Sequence, residues 1–240
     1  MSPTRSRQGR LRELLSQFSS KDRVLITIWA DPDALASALA LKRLLWRKVQ
    51  SVTIAHFNEV KRFDNLTMIR LLKIPVERLG KVDGSSFSKF VLVDGQPDHN
   101  EVFADFDYDV VIDHHPRTIS LRVPFLDIRP DYGAAATIMT EYLRAARIRP
   151  SKSLATALLF GIRVDTGNFE SGVTEEDIKA FRYLFPYANM NLLRKIEMAD
   201  MQTADLKYFR RAFESKEIIK GKIFSHLGQI ESPDNLVLVA

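Results

Sequence analysis

The chain has 240 residues and a formal net charge of +5, with 45% apolar and 27% charged residues. This composition argues against disorder and predicts one large domain, or one domain with part of another. Because the chain has no cysteine, disulfides and thiolate metal sites are excluded, and any metal must bind to His, Asp or Glu. No apolar run reaches the roughly 18 residues of a membrane span. The N-terminus also lacks an apolar signal core. We therefore expect a soluble, cytoplasmic protein with no membrane partner.

The N-terminal segment, residues 1–22, is basic, and its arginines are Arg5, Arg7, Arg10 and Arg12. Apolar residues at spacings of three and four predict an amphipathic helix over 7–19. A solvated helix face explains the arginines more simply than a nucleic-acid-binding arm. The apolar run 23–29 then predicts a buried parallel strand, which is followed by an acidic turn and a helix.

Strands and helices alternate through the next hundred residues. We predict strands over 51–57, 89–93, 108–112 and 123–128, and a helix over 62–73. After residue 130 we predict helices over 133–146, 151–163, 175–186, 189–198 and 203–218. This alternation predicts a parallel sheet with right-handed crossovers. The β-rich runs 222–224 and 236–239 are expected to begin a further α/β domain.

Acids and histidines follow several of the predicted strands. They are Asp31 and Asp33, Asp94, the triplet Asp113-His114-His115, and Asp165 in the loop after 151–163. The triplet alone would be explained by a polar turn, but parallel strands bring their carboxyl ends to one edge of the sheet. Carboxylates in a shared cleft repel one another unless cations neutralise them. Oxygen ligands with one imidazole suit Mn²⁺ or Mg²⁺, and two such ions about 3.5–4 Å apart favour attack on phosphorus.

Four motifs follow one another along the chain: Asp31-x-Asp33, Asp94, Asp113-His114-His115 and Asp165-Thr166-Gly167. In this order they resemble the motifs of the DHH phosphoesterase superfamily. The superfamily includes RecJ-like exonucleases, oligoribonucleases that also cleave pAp, cyclic-dinucleotide phosphodiesterases and manganese pyrophosphatases. The resemblance covers 23–170. It implies a DHH-type α/β/α domain over 23–190, a helical linker over 191–220, and the start of a truncated DHH-associated domain over 221–240.

The resemblance also implies roles for individual residues and up to two Mn²⁺ or Mg²⁺ ions. Asp31 would bind the first ion, Asp94 would bridge both, and Asp33, His114 and Asp165 would complete the second site. His115 would face the substrate phosphate, and Asp113 would orient a neighbouring histidine. The implied catalytic group is therefore Asp94, Asp113, His114 and His115. Arg117 and Arg163 are further candidate phosphate ligands.

One departure from the family pattern concerns the first metal site. The family carries a histidine four residues before its first aspartate, and this chain has Thr27 there. We therefore expect the first site to be weaker, rebuilt or empty. His99 is a conceivable substitute, although an exposed loop histidine is the simpler interpretation. Phe106 and Phe169 could stack a base, although core packing explains them more simply.

The resemblance favours a metal-dependent phosphoesterase that acts on short oligonucleotides or nucleotides, such as nanoRNA, pAp or a cyclic dinucleotide. Hydrolysis of pyrophosphate or polyphosphate is a variant of the same chemistry. The competing interpretation is a nucleotide- or RNA-binding module that lost catalysis with the histidine at position 27. Either interpretation is compatible with a homodimer.

Overall fold

Six parallel strands form the sheet that organises residues 1–196, the first of two compact units. The computed structural model describes residues 6–117, 122–200 and 206–230. The strands are β1 (Arg23–Ile28), β2 (Ser51–His56), β3 (Val76–Arg78), β4 (Lys89–Val93), β5 (Val110–Asp113) and β6 (Phe125–Ile128). Their order is β3-β2-β1-β4-β5-β6, so the direction in which the sheet grows reverses between β1 and β4. The parallel α/β fold predicted from the alternation is confirmed.

Seven helices pack with this sheet in the described part of the chain. They are α1 (Arg7–Leu15), α2 (Pro32–Leu45), α3 (Phe63–Leu72), α4 (Ala135–Ala145), α5 (Lys152–Asp165), α6 (Glu175–Leu184) and α7 (Met190–Glu197). All seven contribute buried side chains to one large apolar cluster. Within it, α2 contacts three strands as well as α4 and α5, and most of its circumference is buried. This packing explains why α2 is apolar over nearly its whole length.

The two faces of the sheet are covered differently. Side chains alternate along β4 and β5, so that Val91 and Val110 enter the large cluster whereas Leu92 and Val111 enter a second, smaller one. The second cluster is completed by Phe103 and Tyr108, with partly buried aromatic rings around them. Among the described residues, none of its members lies in an α-helix. Loops, a short 3₁₀ helix (Glu101–Phe103) and Phe90 of β4 supply the rings on this face.

The basic helix α1 is part of the first unit. Leu11 and Leu14 are buried in the large cluster. Arg7 lies 3.1 Å from Glu141 and 2.9 Å from Glu176, which leaves it paired with acids of the domain. Arg5 lies outside the described residues. None of the helices in the described ranges is long and apolar enough to cross a bilayer.

The sequence did not predict two elements. β3 was missed, because a three-residue strand carries no measurable periodicity. The helix predicted over 203–218 is also partly wrong, since α8 ends earlier (Leu206–Glu214) and β7 (Glu217–Ile219) pairs antiparallel with β8 (Lys222–Phe224). Lys220 and Gly221, both with positive φ, form the two-residue turn that such hairpins prefer. The predicted strand 236–239 lies outside the described residues.

Candidate metal centre

Three adjacent strands bring polar residues to one edge of the sheet. β1, β4 and β5 lie side by side, and Asp31, Asp94 and His114 come after their carboxyl ends. This is the point where the strand order reverses, and open parallel sheets bind ligands at such a point. Asp94 has a φ of 60°, a left-handed conformation that Asp tolerates better than most residues. Its N–H donates to the carbonyl of Ile112 at 2.9 Å, which fixes the turn against β5.

Two helices, and not only strand-end loops, supply further acids. Asp33 lies in the first turn of α2, and Asp165 is the last residue of α5, so the predicted loop position of Asp165 is wrong. Gly161 lies within α5 and faces α2. A Cβ added to Gly161 would lie 2.9 Å from the Cα of Asp33. Glycine therefore allows the close approach of α5 to α2 that brings Asp165 near Asp33.

The carboxylate of Asp33 is held by the first amides of α4. Its Oδ2 accepts from the Ala135 N–H at 2.6 Å, and its Oδ1 accepts from the Ala136 N–H at 2.7 Å. The N-cap residue of α4 is Ala134, which has no side chain that could cap the helix. Asp33, fully buried, performs this function from a different helix. Its position and orientation are therefore fixed by the fold.

Four side chains converge on one point. Asp33, Asp94, His114 and Asp165 each offer a ligand atom, and these atoms lie within 4.8 Å of one another. His114 Nε2 is 3.2 Å from Asp165 Oδ2, 3.5 Å from Asp94 Oδ1 and 4.0 Å from Asp33 Oδ2. Among the described residues, His114 Nε2 and Asp94 Oδ1 are buried without a hydrogen-bond partner. Buried polar atoms are rarely left so, and a bound ion explains such exceptions.

His114 is oriented for ligation. Its Nδ1 lies 3.2 Å from the carbonyl of Tyr132, and because a carbonyl can only accept, Nδ1 carries the proton. Nε2 therefore points toward the carboxylates. Burial lowers the pKa of His114, but the interactions with Asp165 and Asp33 outweigh burial and raise it to about 9. A divalent cation would take the place of that second proton.

Three acids at this edge of the sheet, Asp31, Asp33 and Asp94, resist ionisation in the absence of a cation. Burial, followed by the negative charge of Asp165, raises the pKa of Asp33 well above its ordinary value. Burial and the charge of Asp33 raise the pKa of Asp94 in the same way. For Asp31, burial and the charge of Asp165 outweigh the hydrogen bond from Ala34, and the pKa rises to about 6. These directions follow from uncompensated negative charge in a buried site.

Another buried acidic group in the domain is neutralised by an arginine. Asp127 and Glu141 both bind Arg129, at 2.7 Å and 2.8 Å. By contrast, the ion-pair partners of the acids in the cluster are histidines, and no lysine or arginine in the described part of the chain pairs with them. Three carboxylates with one imidazole are a donor set that suits Mg²⁺ or Mn²⁺. The residues present therefore fit a divalent cation.

A second chain of contacts fixes His115. It contains the predicted partner Asp113 and also Gln96, for which the sequence predicted no role. Asp113 is fully buried, and its Oδ1 accepts from His115 Nδ1 at 2.8 Å, while its Oδ2 accepts from Gln96 Nε2 at 2.7 Å. Burial raises the pKa of Asp113, but the hydrogen bonds from His115 and Gln96 outweigh burial and lower it. Gln96, fully buried, also donates to the carbonyls of His115 and Pro116. The only sequence signal for Gln96 was its position two residues after Asp94.

The first predicted metal site is incomplete in this geometry. Asp31 caps α2, with its Oδ1 accepting from the Ala34 N–H at 2.9 Å, and it belongs to none of the convergent groups found among the described residues. Thr27 is fully buried, and its hydroxyl lies 3.2 Å from the Val91 carbonyl and 3.3 Å from the Tyr108 hydroxyl. Thr27 is therefore engaged within the smaller apolar cluster and does not replace the family's histidine.

The remaining candidates lie around the cluster. His99 is exposed and groups with Asp113 and His115 rather than with Asp31. Arg163 donates to Asn168 Oδ1 at 2.9 Å, and Arg117 is exposed two residues after His115, so both phosphate roles stay predictions. Phe106 and Phe169 are partly buried against other aromatic rings. Phe106 packs on Phe57, Phe90 and Tyr108, and Phe169 packs on Phe181.

Residues 23–162 match the N-terminal domain of the DHH family, which is more than half of the chain. The class of protein defined by the parallel sheet and its acidic edge is thus a DHH-type phosphoesterase fold, and the chain belongs to the DHH family. In sequence it is 33% identical over 214 residues to the uncharacterized protein MJ1633 of Methanocaldococcus jannaschii, covering 89% of this chain and 45% of that protein. It is also 34% identical over 134 residues to an A-adding tRNA nucleotidyltransferase of Geobacter sulfurreducens, covering 50% of this chain and 14% of that one. The chain spans about half the length of MJ1633, and less of the transferase.

Solved structures share the fold at low sequence identity. An exopolyphosphatase-related protein from Bacteroides fragilis superposes with a TM-score of 0.70 at 15% identity, covering 92% of this chain and 68% of that one. A putative family II inorganic pyrophosphatase from Methanococcus jannaschii gives a TM-score of 0.59 at 19% identity, covering 84% and 69%. At these identities the likeness establishes the fold alone.

Proposed function

We propose that this chain is the phosphohydrolase domain of a divalent-metal-dependent enzyme that cleaves phosphodiester or phosphomonoester bonds of short oligonucleotides or nucleotides. One observation carries the proposal. Asp94 Oδ1 and His114 Nε2 are buried without hydrogen-bond partners at the centre of an acidic cluster that no lysine or arginine among the described residues neutralises. Membership of the DHH family supports the same chemistry.

Asp33, Asp94, His114 and Asp165 would hold the cation. Bound there, Mn²⁺ or Mg²⁺ would supply positive charge to the phosphoryl oxygens and acidify an attacking water. The chain supplies the orientation. The amides of α4 hold both oxygens of Asp33, and the carbonyl of Tyr132 directs His114 Nε2 toward the acids. Ligands fixed in this way need little rearrangement when the cation binds.

His115 is positioned to meet the substrate. Its side chain is 47% exposed, and Asp113 holds its Nδ1. Because the pKa of Asp113 is lowered, this carboxylate stays ionised and favours a proton on Nδ1. When the ring is also protonated at Nε2, that N–H is available to donate to a phosphoryl oxygen. Gln96 keeps Asp113 in place and so acts as a positioning residue.

The geometry of Thr27 favours a second candidate function, a binding module without catalysis. The hydroxyl of Thr27 is engaged by Val91 and Tyr108. The first metal site therefore lacks the imidazole that the family carries at this position. A single cation would bind a phosphate but activate water less effectively than two. This candidate predicts phosphate-dependent binding with no turnover.

The test is hydrolysis by the full-length protein with Mn²⁺, using a dinucleotide, pAp, a cyclic dinucleotide and pyrophosphate side by side. We expect release of a nucleotide product, and loss of that product with Asp94→Asn. The matched control is Asp105→Asn, which removes an exposed carboxylate outside the cluster and should leave turnover unchanged. Cleavage of pyrophosphate alone would favour an inorganic phosphohydrolase. If none of the four compounds is hydrolysed, the binding module becomes the favoured function.

A further inference from the structure

A large exposed aromatic residue follows the end of β1, at the same edge of the sheet as the acidic cluster. Trp29 comes directly after β1, two residues before Asp31, and it is 41% exposed. The backbone between them is clamped by Asn58, whose Oδ1 accepts from the Ala30 N–H at 2.7 Å and whose Nδ2 donates to the Ala30 carbonyl at 3.0 Å. The indole is thus mounted on a rigid segment at the edge of the site.

The ring of Trp29 packs against Phe103, which in turn lies close to the residue after Asp94. It meets Phe103 at a centroid distance of 6.2 Å and an interplanar angle of 77°. Phe103 is buried, and its Cε2 would lie 3.2 Å from a Cβ on Gly95, the residue after Asp94. An edge-to-face contact covers at most one face of the indole. With Trp29 41% exposed, this contact leaves part of the indole accessible to solvent.

Asp94 connects the residue that faces Phe103 with His115. It precedes Gly95 on one side, and its Oδ1 lies 4.0 Å from His115 Nδ1 on the other. A phosphate held at Asp94 and His115 would therefore lie next to the segment that carries Trp29. The other aromatic candidates do not offer such a face, because Phe106 and Phe169 are packed within ring clusters.

We infer that Trp29 forms a nucleobase subsite, so that the site selects nucleoside phosphates over inorganic phosphates. The inference rests on the proposed function and names its substrate class. Every base has a π face, and alanine substitution of a stacking aromatic weakens binding about 5- to 150-fold per base. Pyrophosphate and polyphosphate have no such face and gain nothing from the indole.

The two tryptophans of the chain allow a matched experiment. Trp46 follows the end of α2, whose 14 residues separate it by about 20 Å from Asp31. The guanidiniums of Arg43 and Arg47 both lie over its ring. The variant Trp46→Phe therefore reports on Trp29 alone, and Trp29→Phe reports on Trp46 alone. Each is titrated with adenosine monophosphate and with inorganic phosphate, in Mg²⁺, by tryptophan fluorescence and calorimetry.

We expect adenosine monophosphate to quench Trp29 but not Trp46, and to bind at least about 10-fold more tightly than phosphate. Trp29→Ala should remove this preference while phosphate still binds, and Trp29→Phe should keep part of it. Equal affinity for the two ligands, or an unchanged preference in Trp29→Ala, would overturn the subsite alone. Equal weakening of both ligands in Trp29→Ala would show a structural role and overturn it too. Failure of both ligands to bind the unmutated protein would refute the proposed function and the subsite together.

Discussion

Asp33 and Asp94 lie in one acidic cluster but differ in their own partners, and this difference predicts unequal effects of Asp→Asn. Asp33 accepts from two amides at 2.6 Å and 2.7 Å, whereas Asp94 Oδ1 has no hydrogen-bond partner. At a pH above the raised pKa values of both acids, each substitution removes one negative charge from the same cluster. The relief of repulsion is therefore common to both variants, and their difference in stability isolates the two amide hydrogen bonds.

The size of the difference follows from those bonds. An asparagine at position 33 could accept from only one amide, which would leave the other buried N–H facing an NH₂ group at a cost of about 1–3 kcal/mol. Loss of the charge at the N-terminus of α4 adds about 0.3–1 kcal/mol. At position 94 an asparagine would keep the shape of the side chain, and Asn tolerates the left-handed conformation found there. We therefore expect metal-free Asp33→Asn to be about 1–4 kcal/mol less stable than Asp94→Asn.

The assay is urea unfolding in chelator, followed by circular dichroism, with hydrogen exchange at the Ala135 and Ala136 amides as a local readout. Those two amides should exchange faster in Asp33→Asn and stay protected in Asp94→Asn. Asp105→Asn serves as the surface control. If Asp33→Asn is as stable as Asp94→Asn and its amides remain protected, the carboxylate does not cap α4 and the argument fails.

Three further predictions concern the same site. Mn²⁺ titration should show one tight and one weak site, because Thr27 replaces an imidazole, and loss of a ligand commonly costs about 10–100-fold in affinity; two equally tight sites would contradict this. His115→Ala should lower turnover about 10²–10³-fold while Mn²⁺ still binds, whereas Asp94→Asn should lose both. If His115→Ala strips the metal and Asp94→Asn does not, the two roles are reversed. Gly161→Ala should weaken Mn²⁺ binding and thermal stability together, since its Cβ would lie 2.9 Å from the Cα of Asp33 and push α5 away; unchanged Mn²⁺ affinity would show that the close approach is not needed.

Much of the sheet could be predicted from local sequence. Continuous β-rich runs in β1, in residues 90–93 of β4 and in residues 110–112 of β5 predicted buried parallel strands. In the structure, the residues of β1 after Arg23 are all fully buried. Acids directly after such strands indicated a common edge. The family resemblance, which the comparison with the DHH family confirms, then identified this edge as a candidate metal centre.

Most features of the site that could not be predicted depend on contacts between segments that are distant in the sequence. The sequence predicted a helix that ends at 163, whereas α5 continues two residues further and includes Asp165; the ends of helices are poorly marked in local sequence. Gln96 became important only when β4 and β5 paired and brought it to Asp113, 17 residues away. No role for Trp29 was predicted from the sequence, and its contact with Phe103 could not be predicted from spacing.

The most direct test of the central claim is a crystal structure of the full-length protein with Mn²⁺, using anomalous scattering to locate the ion. We expect the strongest peak about 2.0–2.6 Å from oxygens of Asp33, Asp94 and Asp165 and from His114 Nε2. The three candidate groups differ in their members, so the position of the peak decides between them. A peak at His99, Asp113 and His115 instead, or none near Asp94 at saturating Mn²⁺, would contradict the account.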